Sequence, residues 1–181
     1  MDTEDPVMRE REGLALYERG AYGEALRVLA LARDGYAAQG NQIGVCEMWN
    51  DIGVVHYRQQ QWDEAEQAFR QAQQVAIAAD DRAGAGKALG NLGMLYARRG
   101  NAAAAEPFLR EAILIFRELG DGEKEQATLK ALSDLNLKGG RWLEALYQYE
   151  SGVEAESRPG LWSRLMHWAV RMLKRVLRLP T

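Results

Sequence analysis

The sequence predicts an all-α fold: a solenoid of four helical hairpins followed by one amphipathic C-terminal helix. Three observations carry this. Small and large residues recur at a spacing of 40 along most of the 181-residue chain. Within each unit the apolar residues fall at helical spacing, and after Gly160 the pattern changes to a single helix with a wide apolar face.

The repeat is read most directly from its small residues. Ala25, Ala65, Ala105 and Ala145 are in register. Twelve residues upstream stand Gly13, Gly53, Gly93 and Ser133; four downstream stand Leu29, Phe69, Leu109 and Tyr149; seven downstream stand Ala32, Ala72, Ala112 and Gly152. The turn between the two halves carries Gly20, Gln60, Gly100 and Gly140, followed by Tyr22, Trp62, Ala102 and Trp142. In the second unit Trp49, Ile52, Val55 and His56 mark one helix, and Ala65, Phe69, Ala72 and Ala76 the next. A glycine inside a helix costs about 1 kcal/mol against alanine. Three in register therefore imply close helix approach, expected here to bring each glycine against the alanine of its partner helix. A lone hairpin cannot bury its apolar face, so the hairpins stack.

These residues place repeats near 5–40, 41–80, 81–120 and 121–156. The helices are expected near 7–19, 22–38, 41–59, 62–79, 82–99, 102–118, 123–138 and 142–155. The fourth repeat departs most, with Ser133 for glycine, Asn136 for tyrosine and Gly152 for alanine. Residues 157–160, Ser-Arg-Pro-Gly, form a breaker and linker, and 161–181 carry the last helix, near 161–178.

Trp49-x2-Ile52-Gly53-x2-His56, Leu89-x2-Leu92-Gly93-x2-Tyr96, Ala65-x3-Phe69 and Ala145-x3-Tyr149 together resemble the tetratricopeptide repeat (TPR) signature. The terminal proline is missing and the period is longer than the usual one. Asn91-Leu92-Gly93, preceded by Asp80-Asp81, is similar to the extended repeats of kinesin light chains, LGN-type adaptors and bacterial peptide-sensing regulators. The resemblance implies that the first helix of each pair lines a concave groove that holds a partner peptide or helix. The positions two before and four after the signature glycine would face it: Arg11, Asp51, Asn91 and Ala131, then Tyr17, Tyr57, Ala97 and Leu137. Asn91 matches an asparagine that in those families bonds a bound peptide backbone, whereas Asp51 departs from it.

Signals for chemistry are sparse, and a non-enzymatic protein with no cofactor and no metal is expected. Gly84-Ala85-Gly86-Lys87 has Asp81 where a phosphate-binding loop needs glycine, and Ala88 where it needs Ser or Thr, so it reads as a turn opening a helix. Cys46 and His56 read as packing residues, Ser133-Asp134 has no histidine near it in sequence, and Asp80-Asp81 reads as helix capping. One cysteine excludes an internal disulfide framework. The polar, acidic N-terminus lacks signal-peptide character, and no apolar run has transmembrane length, so a cytoplasmic location is expected, with peripheral membrane contact through the tail.

The net charge of −3 hides an asymmetry. Residues 1–156 carry 17 basic and 26 acidic side chains, while the remainder carries six basic and no acidic ones. Wound as a helix, the tail puts Arg164, His167, Arg171, Lys174, Arg175 and Arg178 on one narrow arc. Trp162, Leu165, Trp168, Met172 and their apolar neighbours cover an arc about twice the width that packing on one neighbour needs. Three readings compete: a cap on the array or a homo-oligomer contact, an interfacial helix on anionic membrane, and a docking helix for another protein or for the chain's own groove. Nucleic acid is disfavoured by the acidic body. The partner expected for the groove is a protein or peptide.

Overall fold

The structure is a computed structural model that describes residues 5–141 together with the single positions 144, 148, 168 and 172. Seven helices follow one another: α1 (Pro6–Glu18), α2 (Tyr22–Ala38), α3 (Gln42–Arg58), α4 (Trp62–Ala78), α5 (Arg82–Arg98), α6 (Ala102–Leu119) and α7 (Gly122–Lys138). Each expected boundary in this range falls within a residue or so of the observed one. The helices expected near 142–155 and 161–178 lie outside the described residues, although the four single positions described there are helical.

The helices pair as antiparallel hairpins α1–α2, α3–α4 and α5–α6, and each hairpin packs on the next through α2–α3, α4–α5 and α6–α7. Beyond these consecutive contacts, α3 also touches α5 and α5 touches α7. First helices thus meet first helices, which makes theirs the inner, concave side of the stack.

Local chemistry sets the boundaries. Asp5, Asn41, Asp81 and Asp121 precede the first helices, and each side chain accepts a hydrogen bond from a backbone N–H of the opening turn. A left-handed residue ends every helix at intervals of 20, at Gly20, Gly40, Gln60, Asp80, Gly100, Gly120 and Gly140. The Asp80-Asp81 pair therefore splits its roles, Asp80 closing α4 and Asp81 capping α5 with a 2.9 Å bond from the Gly84 N–H. The segment 84–87, expected as a turn opening a helix, is itself helical within α5, because the cap at Asp81 starts the helix ahead of it.

The glycines at the signature position work differently from expectation. A Cβ on Gly13 would lie 2.7 Å from the Leu29 side chain, and one on Gly93 2.6 Å from that of Leu109; on Gly53 it would collide with the Phe69 ring. The glycine receives the bulky residue of its own partner helix, not the alanine four positions before it. The alanines, fully buried at 25, 65 and 105, let the helices come close enough for this insertion. Each such large side chain buried is worth about 1.5–3 kcal/mol of transfer free energy.

Candidate functional site: the inner face of the first helices

Positions seven and eleven residues apart on a helix return to one face. Applied to the 40-residue register, this gives four rows running across α1, α3, α5 and α7. The first is Val7, Glu47, Lys87 and Ala127; the second Arg11, Asp51, Asn91 and Ala131; the third Leu14, Val54, Met94 and Asp134; the fourth Glu18, Arg58, Arg98 and Lys138. Contacts between first helices confirm that these rows face inward. Lys87 Nζ on α5 lies 3.6 Å from Asp51 Oδ1 on α3, and Arg58 Nε on α3 donates to the Tyr17 hydroxyl on α1 at 2.9 Å.

The electrostatics differ along each helix. Asp51 is half-buried, and burial, opposed by Lys87 and reinforced by Glu10 and Glu47, raises its carboxyl above the ordinary aspartate value. Asn91, also half-buried, donates from Nδ2 to Asn50 Oδ1 at 3.0 Å, and the fully buried Asn50 in turn donates to the Cys46 carbonyl at 3.2 Å. The Asn91 carbonyl group and its second amide N–H remain able to meet a ligand. The third row is apolar across α1, α3 and α5, with Leu14 39% and Met94 43% exposed and Val54 half-buried between them. In the fourth row Arg58, Arg98 and Lys138 are all exposed.

The sequence-predicted groove residues distribute as follows. Arg11 is exposed on α1, and Asp51 and Asn91 sit side by side on adjacent helices. Tyr17 and Tyr57 are half-buried at the base of the inner face, where Tyr17 packs on Tyr22 at 5.9 Å and Tyr57 meets Trp62 edge-on at 5.5 Å. Burial raises the Tyr57 phenol, while Arg98 and Arg58 pull it down, so both guanidiniums act on it. Leu137 is exposed near the end of α7, and Ala97 and Ala131 are half-buried. Sequence reasoning missed the third and fourth rows, and missed Lys87 as the partner of Asp51. The signal was available, since these positions lie one and five residues after the signature glycine and six before it.

Cys46 and His56 have the surroundings of packing residues. Cys46 is fully buried, its Sγ donates to the Ala72 carbonyl at 3.4 Å, and burial, reinforced by Asp81, pushes the thiol up to about 11. His56 Nδ1 lies 2.7 Å from Gln61 Oε1. Among the described residues no group of His, Cys, Asp and Glu is placed to hold a metal, and no helix is long and apolar enough to cross a membrane.

In the tail, Trp168 and Met172 are helical and exposed, at 62% and 42%. In the 40-residue register they correspond to Met48 and Ile52, Ala88 and Leu92, and Thr128 and Leu132, which are buried, and to Met8 and Glu12 on α1, which are exposed. Trp162, Arg164, Leu165, Arg171, Lys174, Arg175 and Arg178 lie outside the described residues.

A stack of such hairpins, with small residues admitting a bulky partner every 40 positions, defines a tetratricopeptide-type array. The family model described as tetratricopeptide repeat matches residues 44–118 and 84–155, and the chain belongs to this family. Among solved structures it is similar to BtubC (BKLC) from P. vanneervenii, with a TM-score of 0.74 at 17% identity, over 86% of this chain and 66% of that one. It is also similar to PilF of Pseudomonas aeruginosa, with a TM-score of 0.52 at 15% identity, over 94% of this chain and 91% of that one. These likenesses show the fold. No curated protein matches the sequence.

Proposed function

We propose that the protein is a non-enzymatic interaction scaffold that holds a segment of a partner protein across the inner face of its first helices. The observation that carries this reading is the apolar row Leu14, Val54 and Met94, left open on the concave side beside the polar pair Asp51 and Asn91. Apolar surface continuous over several repeats, beside groups able to bond a peptide backbone, is what a partner segment needs to dock. The test compares proteins retained from a lysate of the source organism by the full chain, by Met94→Asp, by Asn91→Ala and by Ile77→Asp. Ile77 is exposed on α4, away from the inner face. Loss with the two inner-face variants and retention by Ile77→Asp is expected. Equal retention by all four would contradict the reading.

A second reading concerns the tail, and the exposure of Trp168 and Met172 favours it. The register positions that are buried in α3, α5 and α7 are open here, as Met8 and Glu12 are on α1, beside a sequence rich in arginine and lysine. In this reading the tail lies at an anionic lipid surface, apolar side down, and brings the array to the membrane periphery. Trp168→Glu with Met172→Glu in the full chain should abolish sedimentation with phosphatidylserine vesicles. Failure of the unaltered chain to sediment at low salt would leave capping or self-association as the tail's role.

A further inference from the structure

The inner face also specifies the chemistry of its occupant, on the reading that this face is the binding surface. We propose that it takes an amphipathic helix whose apolar residues recur every seven positions and whose one flank is acidic.

The row structure carries the charge half of this. The apolar row ends at α7, where Asp134 stands in register with Met94. Directly alongside, Arg58, Arg98 and Lys138 form a cationic row over α3, α5 and α7. Among the described residues none of these three is ion-paired with a carboxylate. In the upper rows Lys87 already compensates Asp51. On α1 the same row opens with Glu18, which acts on Arg58, so the uncompensated charge beside the apolar row is that of Arg98 and Lys138. It is positive, and it favours carboxylates at one edge of the ligand while repelling ammonium and guanidinium groups.

The spacing carries the other half. Packed neighbouring helices lie about 8–10 Å apart. Among the helices that carry the apolar row α3 touches α5, so a ligand crossing them must offer an apolar side chain at about that interval, always on the same side. In an α-helix seven residues rise about 10.5 Å and complete almost two turns, so the same face returns. In a strand the same distance takes about three residues, and the side chain then points to the opposite face. The helix satisfies the row and the strand does not. The chain's own tail is the wrong occupant: it is strongly basic, and its Trp168 and Met172 are exposed rather than covered.

Synthetic peptides of three heptads test this directly. One carries leucine once per heptad with glutamates on one flank; its twin carries lysines there; a third has the same composition as the first in strict strand alternation. Binding to the full chain is read by fluorescence anisotropy. The glutamate peptide should bind at least about tenfold more tightly than the lysine twin, and the gap should shrink with salt. Arg98→Glu with Lys138→Glu should reverse the preference at unchanged helical content. Equal binding of the twins, preference for lysine, preference for the alternating peptide, or no binding of any would each overturn the inference. The groove reading fails separately, if Met94→Asp leaves a measured affinity unchanged.

Discussion

The junction between α4 and α5 and its equivalent 40 residues later are built on the same register with different chemistry. At the first, the Tyr96 hydroxyl donates to Glu66 at 2.6 Å and receives Arg70 at 2.9 Å, and its ring stacks on Phe108 at 5.5 Å. Arg99 adds contacts to Asp63 at 3.1 Å and Glu66 at 3.3 Å. At the second, Asn136 stands for Tyr96 and Gln148 for Phe108. Asn136 is 1% exposed, and among the described residues neither its amide nitrogen nor its oxygen has a partner. Gln148 borders a cavity of about 230 Å³ with Ile113, Leu129 and Leu132, whereas Phe108 packs against the clusters of Leu89 and Leu92, the register equivalents of the two leucines. Glu106 keeps a partial substitute through Arg110 at 2.7 Å and Arg141 at 2.8 Å. Ser133 adds to the contrast, since it carries a Cβ at the register position of Gly13, Gly53 and Gly93. Repeat identity is therefore not repeat strength: the first three hairpins are interlocked, while at the junction of α6 and α7 the buried Asn136 amide stands where α5 carries the Tyr96 ring.

The largest effect should come from breaking the interlock. Gly53→Val drives a branched side chain into Phe69 and should cost about 3 kcal/mol or more in urea unfolding, with loss of helicity at lower denaturant. Tyr96→Asn copies the weak junction into the strong one. It removes the stacked ring and leaves Glu66 and Arg70 without the hydroxyl, and should cost about 2 kcal/mol. The opposite change, Asn136→Leu, deletes two orphaned polar atoms and should raise stability by about 1 kcal/mol. An unchanged midpoint would mean that the buried amide is satisfied in solution.

Protonation sharpens the same comparison. Burial raises the Glu66 carboxyl, but the bonds from Tyr96 and Arg70 outweigh it and hold the group below its usual value. The bond from Arg110 lowers Glu106, with burial opposing. Depressed carboxylates stabilise the fold above their unfolded values and lose that contribution as pH falls through the folded ones. Melting temperature should therefore drop on acidification below about pH 4.5, and Tyr96→Asn should flatten the part due to Glu66. Asp51 has the opposite sign: its raised value costs stability at neutral pH, and the cost is relieved as pH falls. Asp51→Asn should raise the neutral-pH midpoint by a fraction of 1 kcal/mol. The smallest effect belongs to Asp80, left-handed at φ 54; Asp80→Gly should gain about 0.5 kcal/mol.

Most of the fold was legible because period and burial coincide. A residue repeated every 40 positions at helical spacing has few other ways to be buried, so the bounds of seven helices followed from the pattern. The glycine contact was misassigned because spacing places both Ala25 and Leu29 on the facing helix, and only packing shows that the leucine enters the gap. The groove was half legible. Tyr57 and Asn91 came from the resemblance, while Leu14, Met94 and Arg98 sit at fixed offsets from the signature glycine but carry no motif, and their exposure is known only once the first helices lie side by side. Lys87 was hidden within a segment resembling a phosphate loop, and its partner Asp51 is 36 residues distant in sequence. The replacement of Tyr96 and Phe108 by Asn136 and Gln148 is visible in the register, but its consequence needs burial to be known.

Hydrogen exchange on the full chain, with and without the glutamate heptad peptide, tests the inner face most directly. The interlocked first helices should respond to a ligand laid across them. Added protection is predicted in α3 and α5, around Asp51, Val54, Asn91 and Met94, with little change in α4 and α6. Protection confined to the second helices, or to the segment after Gly160, would contradict the assignment of the inner face as the binding surface.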